Sequence, residues 1–282
     1  MVLFKKSPEM HDYSAACRKK KQRIGFVPTM GALHEGHISL MHTCKKENDV
    51  SFSSIFVNPR QFNDPRDFQK YPVALENDIY LLEKAGCDVL FLPSVKEIYP
   101  VSFNDSHYNL GYIETILEGY YRPGHFQGVC LVVQKLLEIV EPDHLYLGQK
   151  DYQQCMVIKT LIGLMGKSKE INVHINQTKR EADGVAMSSR NLRLSKDDRQ
   201  KAPAIYEALI YIKNNLGTNN FKPVKAHAQE LLTQNDFKVD YVEIADALTL
   251  EILDRWDGKR KLIALIAAFI NDVRLIDNML LN

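Results

Sequence analysis

The strongest constraint on the fold is a regular alternation of short β-type segments with amphipathic helical segments before residue 177. The predicted strands are residues 23–27, 49–57, 88–92, 144–147 and 171–175. The predicted helices between most of them are residues 36–47, 73–85, 127–140 and 152–165. Each of these carries apolar residues at three- and four-residue spacing. Because parallel strands need long crossover connections, usually helices, the alternation predicts a doubly wound parallel sheet.

The pattern changes after about residue 177, where helical and β-type segments no longer alternate. Further helices are predicted at residues 195–214 and 224–232, and further strands at residues 237–244 and 262–277. We therefore expect two domains, a Rossmann-like α/β domain at residues 1–177 and a smaller α+β domain at residues 178–282. The hinge is expected in the loop around residues 180–190.

Charge and composition exclude several classes of protein. The formal net charge is +1, and the basic run at residues 18–23 is expected to be a solvated helix end, so no nucleic-acid partner is predicted. The longest apolar stretch, residues 262–270, is too short to span a bilayer, and the amino terminus lacks a signal-peptide pattern. Five scattered cysteines without Cys-x-x-Cys spacing indicate reduced core thiols. We expect a cytoplasmic protein without membrane contact.

The most informative segment is PTMGALHEGHISL at residues 28–40, where a predicted strand ends and a predicted helix begins. A helix N-terminus presents unpaired N–H groups and a partial positive charge, and Gly31 and Gly36 allow an anion to approach the backbone closely. His34 and His37 are three residues apart, so their imidazoles can point the same way. The segment predicts a phosphate site. A zinc site and two purely structural histidines are the alternatives.

Four further segments carry polar side chains that suit a charged or polar ligand. Gly148–Asp151 follows a predicted strand and includes Lys150, a mobile positive charge for phosphate oxygens. Met187–Asn191 combines two hydroxyls with a guanidinium, residues 57–62 offer neutral amides, and Arg122 lies in the loop RPGHF. In isolation, each segment also fits a solvated turn.

Taken together and in this order, these segments resemble the pantothenate synthetase family. That family belongs to the nucleotidyltransferase superfamily, which also contains the class I aminoacyl-tRNA synthetases. Residues 34–37 resemble the HIGH-type motif of the superfamily, and residues 187–190 resemble its KMSKS-type phosphate loop. The narrower resemblance rests on segments spread over nearly the whole chain, namely PTMGALHEGH, SIFVNPRQF, RPGHF, GQKDYQQ, READGVAMSSRN, DYVEIAD and RLIDN.

The resemblance implies that the chain condenses pantoate with β-alanine. In this family Mg-ATP adenylates the pantoate carboxylate with release of pyrophosphate, and the amine of β-alanine then displaces AMP. The implied cofactors are ATP, which is a substrate, and Mg²⁺, held mainly by ATP oxygens with Asp78 as a protein contact. A homodimer is also implied.

The same resemblance assigns residues to each ligand. The implied ATP-binding residues are Met30, Gly31, Ala32, Leu33, His34, Glu35, Gly36, His37, Gly148, Gln149, Lys150, Asp151, Lys179, Met187, Ser188, Ser189 and Arg190. The implied catalytic residues among them are His34, His37, Lys150, Ser188, Ser189 and Arg190, with His37 as the proton donor. The implied contacts to pantoate and β-alanine are Asn58, Gln61, Gln154 and Arg122.

Two positions depart from the family pattern. Val73 follows Tyr71 and Pro72 where the family usually has arginine, and we assign no role to it. Lys179 occupies a position that is commonly apolar and that contacts adenine through its backbone. Because a backbone contact does not depend on the side chain, we expect ATP binding to be kept.

Other functions are compatible with parts of this sequence. An adenylyltransferase for a phosphate-bearing acceptor is disfavoured, because the neutral amide side chains offer no charge to a phosphate. A tRNA ligase would need a basic surface that the charge balance does not provide. A non-catalytic nucleotide-binding regulator would have no chemical need for two histidines, a lysine and an arginine together. Release of pyrophosphate distinguishes the regulator from the enzymes.

Overall fold

The computed structural model describes residues 1–103, 105–217 and 220–282. These residues form two units. The first comprises Met1–Gln149 and Gln154–Gln177, and the second comprises Lys150–Gln153 and Thr178–Asn282. The short segment Lys150–Gln153, which lies within the predicted first domain, is therefore grouped with the second unit.

The first unit is built on one parallel sheet. Its strands are β1 (Val2–Phe4), β2 (Ile24–Thr29), β3 (Val50–Ile55), β4 (Val89–Phe91), β5 (His144–Gly148) and β6 (Asn172–Asn176). They pair in the order β1-β4-β3-β2-β5-β6, and every pairing is parallel. Strands β2 and β3 are buried along almost their whole length, as strands covered by helices on both faces must be. The predicted doubly wound α/β architecture is confirmed.

In the described part of the chain, eight α-helices fall between or beside these strands. They are α1 (Ser7–Lys19), α2 (Glu35–Glu47), α3 (Pro65–Gln69), α4 (Leu75–Lys84), α5 (Val95–Ile98), α6 (Leu117–Tyr121), α7 (His125–Val140) and α8 (Tyr152–Leu164). Apolar side chains alternate between the two faces of the sheet. Phe26 and Phe52 belong to one buried cluster, whereas Val27, the chain neighbour of Phe26, and Leu90, the sheet partner of Ser53, belong to the other. Two apolar layers therefore hold the sheet between them.

The strand order reverses at β2, and this reversal locates the candidate site. The chain passes from β2 to its neighbour β3 on one side, while β5 pairs with β2 on the other. In open α/β sheets, ligands bind beyond the carboxyl ends of the strands at such a reversal. The segments Met30–His34, Phe56–Gln61 and Gly148–Gln149 directly follow or end β2, β3 and β5.

The second unit has an antiparallel sheet and its own core. It contains α9 (Lys196–Lys201), α10 (Ala204–Asn214), α11 (Lys222–Gln234), β7 (Lys238–Asp246), β8 (Leu262–Ile270) and β9 (Val273–Leu280). The strands pair in the order β7-β8-β9. The central strand β8 is buried at eight of nine positions, and helices α10 and α11 contribute apolar side chains to the same cluster. The α+β class predicted for this part of the chain is confirmed.

Some predicted elements are wrong in extent. The helix predicted at residues 195–214 is two helices, because the chain turns at Pro203, whose backbone has no N–H to continue the hydrogen-bond ladder. The single apolar run at residues 262–277 is the hairpin β8-β9, which turns at Asn271 with φ of 49°. Strand β1 was not predicted, because three residues carry too little pattern.

The five cysteines are buried and unpaired by disulfides, as predicted for core thiols. Burial raises the pKa of Cys44, Cys87 and Cys130 to about 12, so these thiols stay protonated at neutral pH. No helix of the described residues is long and apolar enough to cross a membrane.

A stacked histidine pair joins β5 and β6. Nδ1 of His144 lies 2.9 Å from Nε2 of His174, and the two rings are nearly parallel. Only one proton fits between the two nitrogens. Burial, assisted by the neighbouring His174, lowers the pKa of His144 below its ordinary value.

We expect the first unit to lose stability in mild acid through this pair. A lowered pKa means that the unfolded chain binds the proton more tightly, so stability falls as the pH drops below about 6.5. Urea unfolding at about pH 7.5 and about pH 5.5 measures the change in the free energy of unfolding for the wild type and for His144→Asn. The variant should lose less stability between the two conditions. Equal losses would contradict the role of His144.

Candidate active site

A loop with unusual backbone geometry connects β2 to α2. Gly31 and Ala32 are consecutive residues in the left-handed region, with φ of 84° and 49°. The hydroxyl of Thr29 accepts the N–H of Gly31 at 3.2 Å and donates to the carbonyl of Ser54 at 2.7 Å. A Cβ atom on Gly31 would lie 3.0 Å from a carboxylate oxygen of Asp78, so the loop leaves little space for a side chain. The glycine predicted to bring the backbone close to a ligand also brings it close to Asp78.

Asp78 fixes this loop from helix α4. Its Oδ2 accepts the N–H of Ala32 at 2.8 Å, and its Oδ1 accepts the N–H of Leu33 at 2.7 Å. Only 1% of Asp78 is exposed. Asp78 was expected to contact Mg²⁺, but both of its oxygens accept hydrogen bonds from the backbone. The geometry gives it a positioning role, and its contact with the metal stays a prediction.

His34 and His37 lie at the N-terminus of α2, where the sequence placed them. Nδ1 of His34 accepts the N–H of Gly36 at 3.1 Å, and Nδ1 of His37 faces the N–H of His34 at 3.4 Å. The ring centroids are 4.1 Å apart. Because each Nδ1 faces a backbone donor, each neutral ring carries its proton on Nε2. Two imidazole donors therefore stand beside the positive end of the helix dipole.

These two histidines do not form a recognisable metal centre. Within residues 1–103, 105–217 and 220–282, no group of three or more His, Cys, Asp or Glu side chains could hold a metal ion. The zinc alternative thus has no third ligand among the described residues. The arrangement favours an anion at the helix N-terminus.

The predicted amide cluster lies where β3 ends. Asn58 and Gln61 are 1% and 8% exposed, at either end of the short turn Pro59–Gln61. Nδ2 of Asn58 donates to Oε1 of Gln61 at 3.1 Å, and Nε2 of Gln61 lies 3.1 Å from Sδ of Met30. The predicted pantoate residues and the predicted ATP residue Met30 are therefore in contact. Gln154 is partly buried on α8.

Arg122 lies between α6 and α7 with its charge already matched. Its Nη1 is 3.5 Å from Oε2 of Glu118 and 3.2 Å from Nε2 of His125. Nδ1 of His125 lies 2.7 Å from the carbonyl of Gln61 and donates to it when Nε2 accepts from Arg122. Arg122 thus supports the backbone of Gln61, and its predicted contact with substrate stays a prediction.

The segment around Lys150 is attached within the second unit. The carbonyl of Lys150 accepts Nδ2 of Asn278 at 2.9 Å, and the hydroxyl of Tyr152 donates to the carbonyl of Ala247 at 2.6 Å. Nζ of Lys150 is 3.9 Å from a carboxylate oxygen of Asp151. The backbone of Lys150 is therefore held by Asn278 of strand β9.

The predicted phosphate loop at residues 187–190 belongs to the same unit. Oγ of Ser188 accepts the N–H of Arg190 at 3.2 Å and caps a short turn that includes Ser189. The N–H of Met187 donates to the carbonyl of Lys179 at 3.0 Å, so one backbone group of Lys179 is already used within the loop.

A salt bridge ties this loop to strand β9. The two guanidinium nitrogens of Arg180 lie 2.5 and 3.1 Å from the carboxylate oxygens of Asp277, and Arg180 also donates to the carbonyl of Gly184. Asp277 is directly followed by Asn278, which holds Lys150. Neighbouring residues of one strand therefore support both the Lys150 segment and the base of the predicted phosphate loop.

A family model described as Pantoate-beta-alanine ligase matches residues 2–280. The chain belongs to the pantoate-beta-alanine ligase family. The resemblance found in the sequence is thereby confirmed.

Similar proteins of this family agree over nearly the full chain. A pantothenate synthetase from Cytophaga hutchinsonii is 45% identical over 94% of this chain and 93% of its own length. The crystal structure of pantothenate synthetase from Thermus thermophilus has a TM-score of 0.91 at 38% identity and covers 99% of both chains. Pantoate-beta-alanine ligase from Francisella tularensis, complexed with beta-gamma ATP and beta-alanine, has a TM-score of 0.82 at 39% identity and covers 99% of this chain and 97% of its own.

Val73, at which the resemblance implies an arginine, is exposed and lines a cavity of about 280 Å³ that also contacts Met30 and Gly31. Val73 therefore forms part of the wall of a cavity next to the loop after β2.

Several supporting residues were missed from the sequence. Asp78 was noted only as a metal contact, although an acidic residue on the buried face of an amphipathic helix is itself a signal of an internal partner. Asn278 lies in the motif RLIDN, which was recognised but given no role. His125 lies in the motif RPGHF, which was recognised but gave it no role, and Glu118 carried no sequence signal that separated it from surface residues.

We expect Asp78→Asn to destabilise the first unit by about 1–3 kcal/mol, because an amide cannot accept both backbone N–H groups and leaves one buried donor unsatisfied. Glu76→Gln, an exposed change on the same helix, should alter the free energy of unfolding by less than about 0.5 kcal/mol. Urea unfolding monitored by circular dichroism measures both. Equal effects of the two substitutions would refute the positioning role of Asp78.

Proposed function

We propose that the chain makes pantothenate from pantoate and β-alanine in two steps that use ATP. The first step forms pantoyl-adenylate and pyrophosphate, and the second forms pantothenate and AMP. The observation that carries the proposal is the N-terminus of α2 with Nε2 of His34 and His37 as donors, in a chain of the pantoate-beta-alanine ligase family.

We assign the ATP phosphates to the N-terminus of α2. A helix N-terminus binds phosphate through its N–H groups and its partial positive charge. The loop after β2 brings Gly31 and Ala32 to this end of the helix. The complex of the Francisella tularensis ligase with beta-gamma ATP and beta-alanine supports ATP and β-alanine as ligands of this chain also.

We assign further phosphate contacts to Lys150, Ser188, Ser189 and Arg190, following the family resemblance. Lys150 supplies a point charge, and Arg190 supplies a planar guanidinium that suits phosphate oxygens. Asn278 supports the backbone of Lys150, and the Arg180–Asp277 salt bridge supports the base of the loop that carries Ser188, Ser189 and Arg190. Gly148, Gln149, Asp151 and Met187 are assigned to the nucleotide as their neighbours in these loops.

The proposed chemistry needs no nucleophile from the protein. A carboxylate oxygen of pantoate attacks the α-phosphorus of ATP, and the bond to pyrophosphate breaks. The amine of β-alanine then attacks the acyl carbon, AMP departs with the former carboxylate oxygen, and the amine loses a proton. Alignment of reactants and stabilisation of negative charge are the contributions required of the protein. The imidazoles, Lys150 and Arg190 supply that stabilisation.

Magnesium is proposed to enter with ATP. Mg²⁺ in nucleotide sites keeps several waters and takes phosphate oxygens with one or two protein carboxylates. The implied protein contact is Asp78, and because its two oxygens accept only two backbone N–H groups, its remaining lone pairs fit this mode. When bound, the ion would neutralise charge on the phosphates.

Following the family resemblance, we assign pantoate to the amide cluster of Asn58 and Gln61, together with Gln154 and Arg122. Neutral amides hydrogen-bond hydroxyl and carboxylate groups without adding charge that would compete with the phosphates. Gln61 also contacts Met30, so a substrate at this amide would lie beside the loop after β2. We also propose a homodimer from the family resemblance, which light scattering measures directly.

Release of pyrophosphate from Mg-ATP, measured with and without each substrate, tests the proposed function. Steady release that needs both pantoate and β-alanine, with pantothenate detected by mass, is the expected result. An acceptor other than pantoate would be indicated by release with a different carboxylate or phosphate compound only. No release with any combination would contradict catalysis.

His37→Ala should lower kcat by at least about 100-fold, the usual effect of removing one preorganised electrostatic group. His42→Ala is the matched control, because His42 is exposed on the same helix α2. Steady-state kinetics with folded proteins measure both. A folded His37→Ala enzyme with near wild-type kcat would remove His37 from the mechanism.

Lys150→Ala should also lower kcat by at least about 100-fold, since it removes a charge proposed to stabilise the transferring phosphate. Lys159→Ala, at an exposed position of α8, provides the control. Turnover of ATP is followed for both variants. A folded Lys150→Ala enzyme with the same kcat as Lys159→Ala would remove Lys150 from the mechanism.

A further inference from the structure

The carboxamide of Asn58 has no hydrogen-bonding capacity left for a substrate. Its Nδ2 donates to Oε1 of Gln61 at 3.1 Å and to the carbonyl of Gly128 at 3.0 Å. Its Oδ1 accepts the hydroxyl of Tyr99 at 2.8 Å and the N–H of Arg60 at 3.2 Å. A carboxamide offers two N–H donors and one oxygen with two lone pairs, so all four sites are used. Any bond from Asn58 to pantoate would have to break one of these.

The four contacts leave the Asn58 carboxamide one orientation. The carbonyl of Gly128 only accepts and the N–H of Arg60 only donates, so Nδ2 must face the first and Oδ1 the second. The contact with Gln61 then fixes that residue in turn. Oε1 of Gln61 faces Asn58, and its Nε2 faces the side of Met30. Gln61 therefore presents N–H donors, rather than an oxygen, toward the loop after β2.

Tyr99 is held firmly enough to act as the outer support of this chain of contacts. Its ring packs edge-on against Phe103 with centroids 5.0 Å apart, and the guanidinium of Arg60 lies 4.5 Å above the ring. Burial raises the pKa of the Tyr99 hydroxyl above its ordinary range, so it stays a donor at neutral pH. Its bond to Asn58 spans 41 positions of sequence, whereas the Arg60 N–H belongs to the same turn as Asn58.

We propose that Tyr99 is a positioning residue for substrate binding, acting through Asn58 to hold the carboxamide of Gln61 with its donors toward pantoate. The inference rests on the proposed contact between Gln61 and pantoate. It changes the role of Asn58 from a direct ligand of pantoate to the connection between Tyr99 and Gln61. Neither the substrate nor ATP touches Tyr99 in this account.

The test compares two Tyr→Phe variants, each of which loses one hydroxyl group. Tyr99→Phe removes the bond to Asn58 and should raise the KM for pantoate by about 3- to 10-fold, the range expected for one hydrogen bond. The KM for ATP should stay within about twofold, because the phosphate site is unchanged. Tyr108→Phe is the control, because the hydroxyl of Tyr108 donates to Oε1 of Gln134 at 2.6 Å and to no residue of the amide cluster. It should leave both KM values unchanged.

A double-mutant cycle separates positioning from a general loss of structure. In a Gln61→Ala background, Tyr99→Phe should change kcat/KM for pantoate by less than about twofold, because the group it positions is gone. Initial rates at low pantoate give kcat/KM even if the background enzyme is slow. A loss of the same size in both backgrounds, or an equal rise in the KM for ATP, would overturn the proposal.

An assay of the wild-type enzyme comes first, because it distinguishes failure of the proposed function from failure of the role of Tyr99. Absence of pantoate-dependent turnover would overturn the proposed function and the role of Tyr99 with it. If the wild type is active and the KM of Tyr99→Phe for pantoate lies within about twofold of the wild-type value, the role of Tyr99 alone is overturned. The proposed function then stays in place.

Discussion

Two hydrogen bonds to one buried carboxylate hold the loop on which the proposed chemistry depends. Left-handed backbone at Ala32 costs about 1–2 kcal/mol. A hydrogen bond to a charged group contributes about 1.5–3 kcal/mol, so the two bonds from Ala32 and Leu33 to Asp78 outweigh that strain. The loop can therefore turn sharply after β2 and start α2 at Glu35, with His34 as the capping residue. Without this support, neither the helix N-terminus nor its two imidazoles would have a fixed position.

The same principle recurs at the other predicted site residues. Asn58 is held by Tyr99 and Gly128, Gln61 by Asn58, and in the second unit Lys150 is held by Asn278. In Asn58 and Gln61 the side chain is held, and in Lys150 the backbone carbonyl is held. Groups oriented before the reaction stabilise developing charge without reorganisation, which is the main contribution that adenylation asks of a protein.

The sequence predicted the architecture because that information is local. Strand β2 is a largely apolar run, and the motif at Pro28–His37 combines a strand end, glycines and a helix start in one short segment. The supporting contacts were not predictable in the same way. Asp78 lies 46 positions from Ala32, and Asn278 lies 128 positions from Lys150, so only the folded chain brings each pair together. The break of helix 195–214 at Pro203 could have been predicted from the proline itself.

In the proposed mechanism, a pantoate carboxylate oxygen attacks the α-phosphorus of ATP. Pantoate carrying a heavy oxygen isotope in both carboxylate positions, with mass analysis of the nucleotide product, tests this step. Each turnover should transfer one labelled oxygen into AMP, because the acyl–oxygen bond breaks when the amine attacks. Label in inorganic phosphate together with ADP would contradict it, since that result requires attack on the terminal phosphorus.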